Sequence, residues 1–522
     1  MNTANPALNE AAAQPKMPRQ IPYIIATEGC ERFSFYGMRN ILIPFLISSL
    51  LLSMPEEMRK GMAKEIFHTF VIGVSFFPLL GGWIADRYFG KYNTMFWLSL
   101  VYCAGHACLA IFENNRNGFF TGLFLIALGS GGIKPLVSSL VGDQFDQSNR
   151  SLAQKVFDGF YWIINFGSFF ASLLMPIFLQ KFGGSVAFGI PGVLMLIATI
   201  IFWSGRTKYV ILPPNAKNPD SFLNVVKTAL LTQVPRQGRA GFYLATASFI
   251  GAIAALTLQP QIGIVAALCL ALVLILIGGG LGAWLQIERA RGHHPDVAVD
   301  GVRSVLRLLV VFALVTPFWS LFDQKASTWV LQAGQMTTTW GILPAQMQAI
   351  NPLLVMLLIP FNNLVLYPTL KRMGIEMPAL RRMGLGIAFS GLAWIAVGCM
   401  QLAIDGGDPI SIIWQILPYA LLTFGEVLVS ASGLEFAYSQ APLAMKGVIM
   451  SFWSLAVTIG NLWVLLANAS VKSPAVTAQI ATTGISVTAF QMFFFAGFAL
   501  LTSLLFVMYA RTYNVLNNYR KV

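Results

Sequence analysis

Apolar runs of about twenty residues recur along this chain, and that recurrence is what most narrows its possible folds. A helix needs about that many residues to cross a hydrocarbon core of roughly 30 Å. About fourteen runs are legible, near 21–51, 66–85, 92–112, 119–141, 155–179, 186–204, 240–258, 262–287, 304–331, 347–370, 380–403, 411–438, 444–468 and 486–510. Composition agrees: 56% of the 522 residues are hydrophobic and only 11% charged, against roughly 25% charged in a soluble domain. An all-α integral membrane protein is expected.

Residues 1–18 are polar and rich in Ala and Pro, without an apolar core. They read as a disordered cytoplasmic tail and not as a cleaved signal peptide. The formal net charge of +13 does not imply nucleic acid, because its placement is one-sided. With the N-terminus inside, Arg87, Lys91, Arg206, Lys208, Arg236, Arg239, Arg289, Arg291, Arg303, Lys371, Arg372, Arg381 and Arg382 fall on the cytoplasmic face. Chiefly Arg59, Lys60, Lys64, Arg116, Lys181 and Lys472 fall outside. This asymmetry orients the chain with both termini in the cytoplasm, and its partner is the anionic surface of the lipid bilayer. The five cysteines all lie within apolar spans, without metal-ligand spacing or a disulfide pattern.

The runs group as six, two and six. Residues 19–205 are expected to form an N-terminal six-helix bundle, 206–300 a cytoplasmic linker and an inserted helix pair, and 301–522 a C-terminal six-helix bundle with a short tail. The linker carries one short amphipathic helix, and the inserted pair, nearly free of charge, is expected to pack on lipid. Two six-helix halves are the arrangement of major facilitator transporters, in which the substrate site lies near mid-membrane between the halves.

The stretch TEGCERFSFYGMRN, Thr27 to Asn40, places four charges inside the first span. At 100° per residue, Glu28, Arg32, Phe35 and Arg39 fall within about 40° of one line, with Glu31 about 60° to one side and Tyr36 about 80° to the other. Each charge facing lipid costs roughly 2.5–3.5 kcal/mol, so the stripe must face water or other charges. Glu28 and Arg32 form an i, i+4 pair, which serves equally as a packing device; Arg39 has no local acid. Lys134, Asp323 and Glu426 are single charges within helices 4, 7 and 10. The economical solution pairs Lys134 and Arg39 of the first half with Asp323 and Glu426 of the second. Protonating an acid would then break a bridge and free one side of the cavity.

Asn165 and Asn351 sit in apolar runs, where asparagine also serves as interhelical glue. Tyr36, Trp319 and Trp453 supply aromatic surface. His68, one turn into helix 2, reads either as a pH switch or as a hydrogen-bonded structural histidine. GGWIADRYFGKYNT closes helix 2 with Gly82, Asp86, Arg87, Gly90 and Lys91. Its glycines permit tight turning, which suits a cytoplasmic gate hinge; no GK[ST] follows to make a phosphate cradle.

GGWIADRYFGKYNT resembles the signature loop of the major facilitator superfamily. TEGCERFSFYGMRN resembles the ExxERFxYYG motif, and DGFYWIINFGSF the FYxxINxGS motif, of proton-dependent oligopeptide transporters. GSGGIKPLVSSLVGDQF, FWSLFDQ and GLEFAYSQAP are similar to that family's helix 4, 7 and 10 segments, and the inserted pair resembles its bacterial branch. The resemblance implies that Glu28, Glu31 and Arg32 take part in proton coupling and that Arg39 and Lys134 receive a peptide carboxylate. It implies that Glu426, Asn165 and Asn351 receive the amino terminus, and that Asp323 links protonation to the extracellular gate. Tyr36, Trp319, Ser430 and Trp453 match pocket positions, and His68 the helix 2 histidine of animal members. Phe35 stands where the motif has Tyr, Ser75 where a helix 2 Tyr is common, and Lys325 and Thr328 where the animal pattern has Gln and Arg.

A cavity with a cationic and an anionic end suits a zwitterion, so the expected activity is proton-coupled import of di- and tripeptides by alternating access in a bacterial inner membrane. A monomer with no cofactor beyond the coupling proton is expected. The rivals are a carrier of nitrate or another small metabolite on the same scaffold and a non-transporting peptide sensor. An enzyme would need a nucleophile–base or metal cluster, which four scattered histidines and five apolar cysteines do not offer.

Overall fold

The computed structural model describes residues 17–145, 152–214, 218–440 and 445–513. Residues 1–16 of the expected disordered tail lie outside them. Within hydrocarbon, backbone N–H and C=O groups find partners only inside their own segment, so apolar runs become helices. In chain order these are α1 (Ile21–Phe45), α2 (Glu56–Ile84), α3 (Gly90–Ile111), α4 (Arg116–Gly131), α5 (Lys134–Asp143), α6 (Ala153–Ser204), α7 (Phe222–Leu231), α8 (Ala240–Leu256), α9 (Gln259–Ile262), α10 (Ile264–Gln286), α11 (Asp296–Asp323), α12 (Thr328–Ala333), α13 (Ile350–Phe361), α14 (Tyr367–Arg372), α15 (Ala379–Asp405), α16 (Ile416–Gln440), α17 (Lys446–Ser470), α18 (Pro474–Ala481) and α19 (Val487–Thr512).

Among the described residues, 10 helical runs are long and apolar enough to cross a membrane. Two of these runs each hold two of the spans read from sequence. Gly90, at φ +74°, breaks the run Met58–Ile111, and Gly183, at φ +80°, breaks the long α6. Both conformations suit a residue without Cβ. With α1, whose charges lower its hydropathy, and the 17-residue α8, the count matches the fourteen expected segments. Helix 4 is divided: α4 ends at Gly131 and α5 begins at Lys134. π-helical turns follow Pro44 and Pro360, at Leu46–Leu50 and Asn362–Leu366, where the missing proline N–H disturbs the regular ladder.

Two cores organise the fold. Met38, Phe45, Tyr102, Phe119 and Phe188 pack together from α1, α3, α4 and α6; the Phe45 ring lies 5.1 Å from Phe119 and 4.9 Å from Phe188. Phe318, Trp394, Tyr419 and Phe495 anchor the second core, from α11, α15, α16 and α19. The linker helix α7 docks on that second core through Phe222, Val225 and Ala229. The inserted pair does more than face lipid: Ala266 and Cys269 of α10 are buried with Ile72 of α2 and Leu462 and Leu465 of α17. Helices α2 and α17 also pack directly on each other, and α6 packs on α13, so both cores meet along one interface.

Candidate functional site

The charge stripe of α1 folds into a buried triad. Arg32 Nε lies 2.9 Å from Glu28 Oε1 and 2.5 Å from Glu31 Oε2, and all three residues are buried. Two carboxylates share one guanidinium, so the fully ionised group carries a net charge of −1 and one proton makes it neutral. Burying such a group is costly unless it is paired, and α1 supplies most of the pairing locally through its i, i+4 and adjacent positions. Below the triad, Ser34 Oγ donates to Pro191 O at 2.7 Å and meets His106 Nε2 at 3.0 Å, tying α1 to α3 and α6.

Nearly two turns before the end of α1, the interface between the halves is polar. Arg39 Nη2 donates to Asp323 Oδ1 at 2.6 Å, and Asn461 Nδ2 donates to Asp323 Oδ2 at 2.7 Å. Asn461 therefore turns its Oδ1 to His68, whose Nδ1 lies 2.6 Å away and carries the proton. His68 Nε2 meets Ser327 Oγ at 2.9 Å. The resulting chain Arg39–Asp323–Asn461–His68–Ser327 passes between the halves at three of its four links. Gln348 Nε2 donates to Asn40 O at 3.1 Å, Gln346 Nε2 to Leu173 O at 2.9 Å, and Lys472 pairs with Glu65 at 2.7 Å. Ala326, Val330 and Ala345 of the second half pack into the core of the first beside these bridges.

The second pairing expected from sequence takes another form. Lys134 has no described ion pair with Glu426; its Nζ lies over the Phe35 ring, 3.8 Å from the centroid. The ring that replaces a tyrosine is thus a cation–π partner. Glu426 is answered within its own half: Lys325 Nζ donates to Asn351 Oδ1 at 2.7 Å, and Asn351 Nδ2 donates to Glu426 Oε2 at 2.6 Å and to Thr423 Oγ1 at 2.9 Å. The amide has opposite ends, so one asparagine satisfies a cation and an anion at once. The physical reason for the correction is reach: Lys325 follows Asp323 by two residues on a 3-10 turn, Gln324–Ala326, which aims it at α13.

Aromatic rings line the same region. Trp319 and Trp453 meet edge to face at 6.0 Å, and a Cβ on Gly433 would collide with the Trp453 ring. Tyr36 and Phe35 are edge to face at 5.4 Å. Tyr36, Lys134, Trp319, Glu426 and Ser430 are half-buried, keeping surface that the triad lacks. Ser430 lies one turn beyond Glu426 on α16. Asn165 is not joined to Glu426 or Asn351; its Nδ2 donates to Tyr161 O at 3.0 Å on its own helix.

The segment read as a gate hinge is a π-helical turn, Ala85–Phe89, ending at Gly90. Lys91 Nζ pairs with Asp143 Oδ2 at 2.6 Å, joining α3 to the end of α5. Asp86 is exposed, while Gly82 and Arg87 are half-buried. A Cβ on Gly82 would meet nothing within 4 Å, whereas one on Gly81 would strike Gly131 O and one on Gly131 the backbone of Phe77, so α2 and α4 require glycine at both Gly81 and Gly131. Lys325, Asn461, Ser327 and Thr423 were not singled out as network members from sequence. Asn461, an amide in the middle of an apolar run, was the legible signal among them.

Residues 92–485 match the family model described as the POT family. The fold superposes on the crystal structure of the POT family transporter PepTSo with a TM-score of 0.94 and 70% identity, covering 95% of this chain and 99% of that one. It also superposes on an auto-inhibited POT family peptide transporter, with a TM-score of 0.94 and 65% identity, covering 97% and 99%. Peptide transporter 3 of Caenorhabditis elegans is 32% identical over 74% of this chain and 51% of its own length. Solute carrier family 15 member 1 of Oryctolagus cuniculus is 30% identical over 75% and 53%. The chain thus spans about half the length of these curated relatives.

Proposed function

Because the chain belongs to the POT family of transporters, a multi-pass membrane family, we propose that it is a proton-coupled symporter that imports di- and tripeptides across a bacterial plasma membrane. Both termini face the cytoplasm in this reading, as the distribution of basic residues favours. One chain supplies both halves of the candidate site, so the transporting unit is the monomer.

The observation that carries the reading is the placement of Asp323. It is a buried acid of the second half held by Arg39 of the first, with Asn461 leading on to His68. In the proposed orientation these bridges close the outer side. A proton on Asp323 removes the charge that holds Arg39, which frees the outer side to open; deprotonation restores the bridge. The Glu28–Glu31–Arg32 triad supplies a second place for a proton, since a single proton neutralises it. Lys134 and Arg39 offer cations for a peptide carboxylate, and Glu426, positioned by Asn351, offers an anion for its amino terminus. Trp319, Trp453, Tyr36 and Ser430 then contact side chains, with Asn165 nearby. Lys91, paired with Asp143, and Gly90 form the inner hinge. A membrane potential contributes about 2.3 kcal/mol per charge per 100 mV, enough to concentrate a peptide.

The test is uptake of a labelled dipeptide by the purified chain in liposomes. Uptake should rise with an inward proton gradient and collapse when a protonophore is added. Uptake indifferent to the gradient removes the symport reading.

A further inference from the structure

A groove of about 400 Å³ runs between the linker helix α7 and the inserted helix α8, apart from the polar network between the halves. Its apolar walls include Leu223, Val226 and Leu231 of α7 and Phe242 and Phe249 of α8. Helix α7 is apolar on two sides: Phe222, Val225 and Ala229 are buried in the second core, while Leu223 and Leu231 remain 74% and 50% exposed. Lipid tails cover any such face in a membrane protein, and charge is what distinguishes this one. Lys227 lies among the lining residues and, among the described residues, has no ion pair or hydrogen bond. Arg239, just before α8, lays its guanidinium over Phe242, 4.1 Å from the ring centroid, and its buried Nε has no hydrogen-bond partner among the described residues. The neighbouring acids are engaged elsewhere: Asp220 with His294 at 2.7 Å, and Glu288 with Arg291 at 2.6 Å. Among the described residues, no acidic residue lines the groove.

We propose that this groove is a binding site for one anionic diacyl phospholipid, with an acyl chain along the apolar walls and the phosphate between Lys227 and Arg239. Apolar length and a cationic mouth are the two elements that lipid recognition needs. A zwitterionic lipid offers the same tails, but its own cation opposes the second basic residue. Phe222 of α7 meets Phe452 edge to face at 5.6 Å, next to Trp453, so bound lipid holds α7 against α17 beside the candidate pocket.

Native mass spectrometry of the full chain, exchanged into detergent with palmitoyl-oleoyl phosphatidylglycerol or with phosphatidylcholine of the same chains, tests the assignment. The wild type is expected to retain one phosphatidylglycerol in preference to phosphatidylcholine. Lys227→Gln and Arg239→Gln should each weaken phosphatidylglycerol retention roughly fivefold, the effect of one cation near an anionic lipid. Thr246→Trp, which fills the groove from an exposed position on α8, should lose the lipid while keeping both cations. Equal retention of the two lipids by the wild type overturns the proposal, as does undiminished phosphatidylglycerol binding in the charge variants. A mass for two copies of the chain without lipid puts a second copy on this face and overturns it as well.

Discussion

Arg39 Nη2 lies 2.6 Å from Asp323 Oδ1 across the interface between the two halves, and both side chains are less than one-tenth exposed. Removing one partner of such a buried pair costs about 3–5 kcal/mol, whereas replacing both by apolar groups is often close to neutral. Asp323→Asn is therefore expected to shift the population away from this bridged arrangement by roughly a hundredfold or more. Spin labels at the exposed positions Leu52 and Ser473 should report longer distances in that variant. An Arg39→Met/Asp323→Leu double variant should close again.

Lys134 rests on Phe35 at 3.8 Å, an interaction worth about 0.5–2 kcal/mol when partly desolvated. Phe35→Leu should raise the KM for a dipeptide by roughly two- to thirtyfold with a smaller change in kcat. Phe35→Tyr, which keeps the ring, should stay close to wild type. Uptake kinetics in liposomes distinguish the two.

Asn351 holds Lys325 with one end of its amide and Glu426 with the other. Hydrogen bonds to charged groups contribute about 1.5–3 kcal/mol each. Asn351→Leu should accordingly lower the Tm by a few degrees, on the order of 1 °C per kcal/mol lost when the entropy of unfolding is scaled to 522 residues. It should also weaken a free dipeptide more than an N-acetylated one. Equal losses for the two ligands would argue against an amino-terminus site at Glu426.

Glu28→Gln removes one acid from the triad, in which Arg32 Nε now faces Glu28 at 2.9 Å and Glu31 at 2.5 Å. The variant triad is neutral without a bound proton. Gradient-driven accumulation should be lost while counterflow exchange of peptide survives. Wild-type accumulation by this variant would remove the triad from the coupling scheme.

Gly460 sets the approach of α17 to α11: an added Cβ would lie 2.6 Å from Trp319 Cβ and 2.8 Å from Thr316 O. Gly460→Ala should destabilise by about 1–3 kcal/mol, the range for overpacking. Thermal unfolding checks this, with Gly497→Ala, which meets nothing within 4 Å, as the neutral control.

The α1 stripe was legible from periodicity alone, because Glu28, Arg32 and their neighbours are placed by one helix. The tie between Arg39 and Asp323 was legible as a need: each charge lacked a local partner, and the cost of burial demanded one. The partner of Glu426 was not legible. Lys325 looked like a departure from a family pattern, and Asn351 like interhelical glue or an amino-terminus contact. Their junction depends on a 3-10 turn that redirects one side chain. His68 stood between a switch and a structural histidine, and its neighbours Asn461 and Ser327 come from two other helices.

The sequence by itself determined that the chain is helical and spans a membrane, where the charges fall along each span, and which family it resembles. Hydropathy and helical period act within a single segment, so the linear order of residues carries them. Only the tertiary structure decided which charges meet, that Lys134 takes an aromatic ring in place of an acid, and that the inserted pair touches both halves. Those outcomes rest on distances of a few ångströms between segments hundreds of residues apart. Such distances are set by how helices pack, break and turn, and no single segment contains that information.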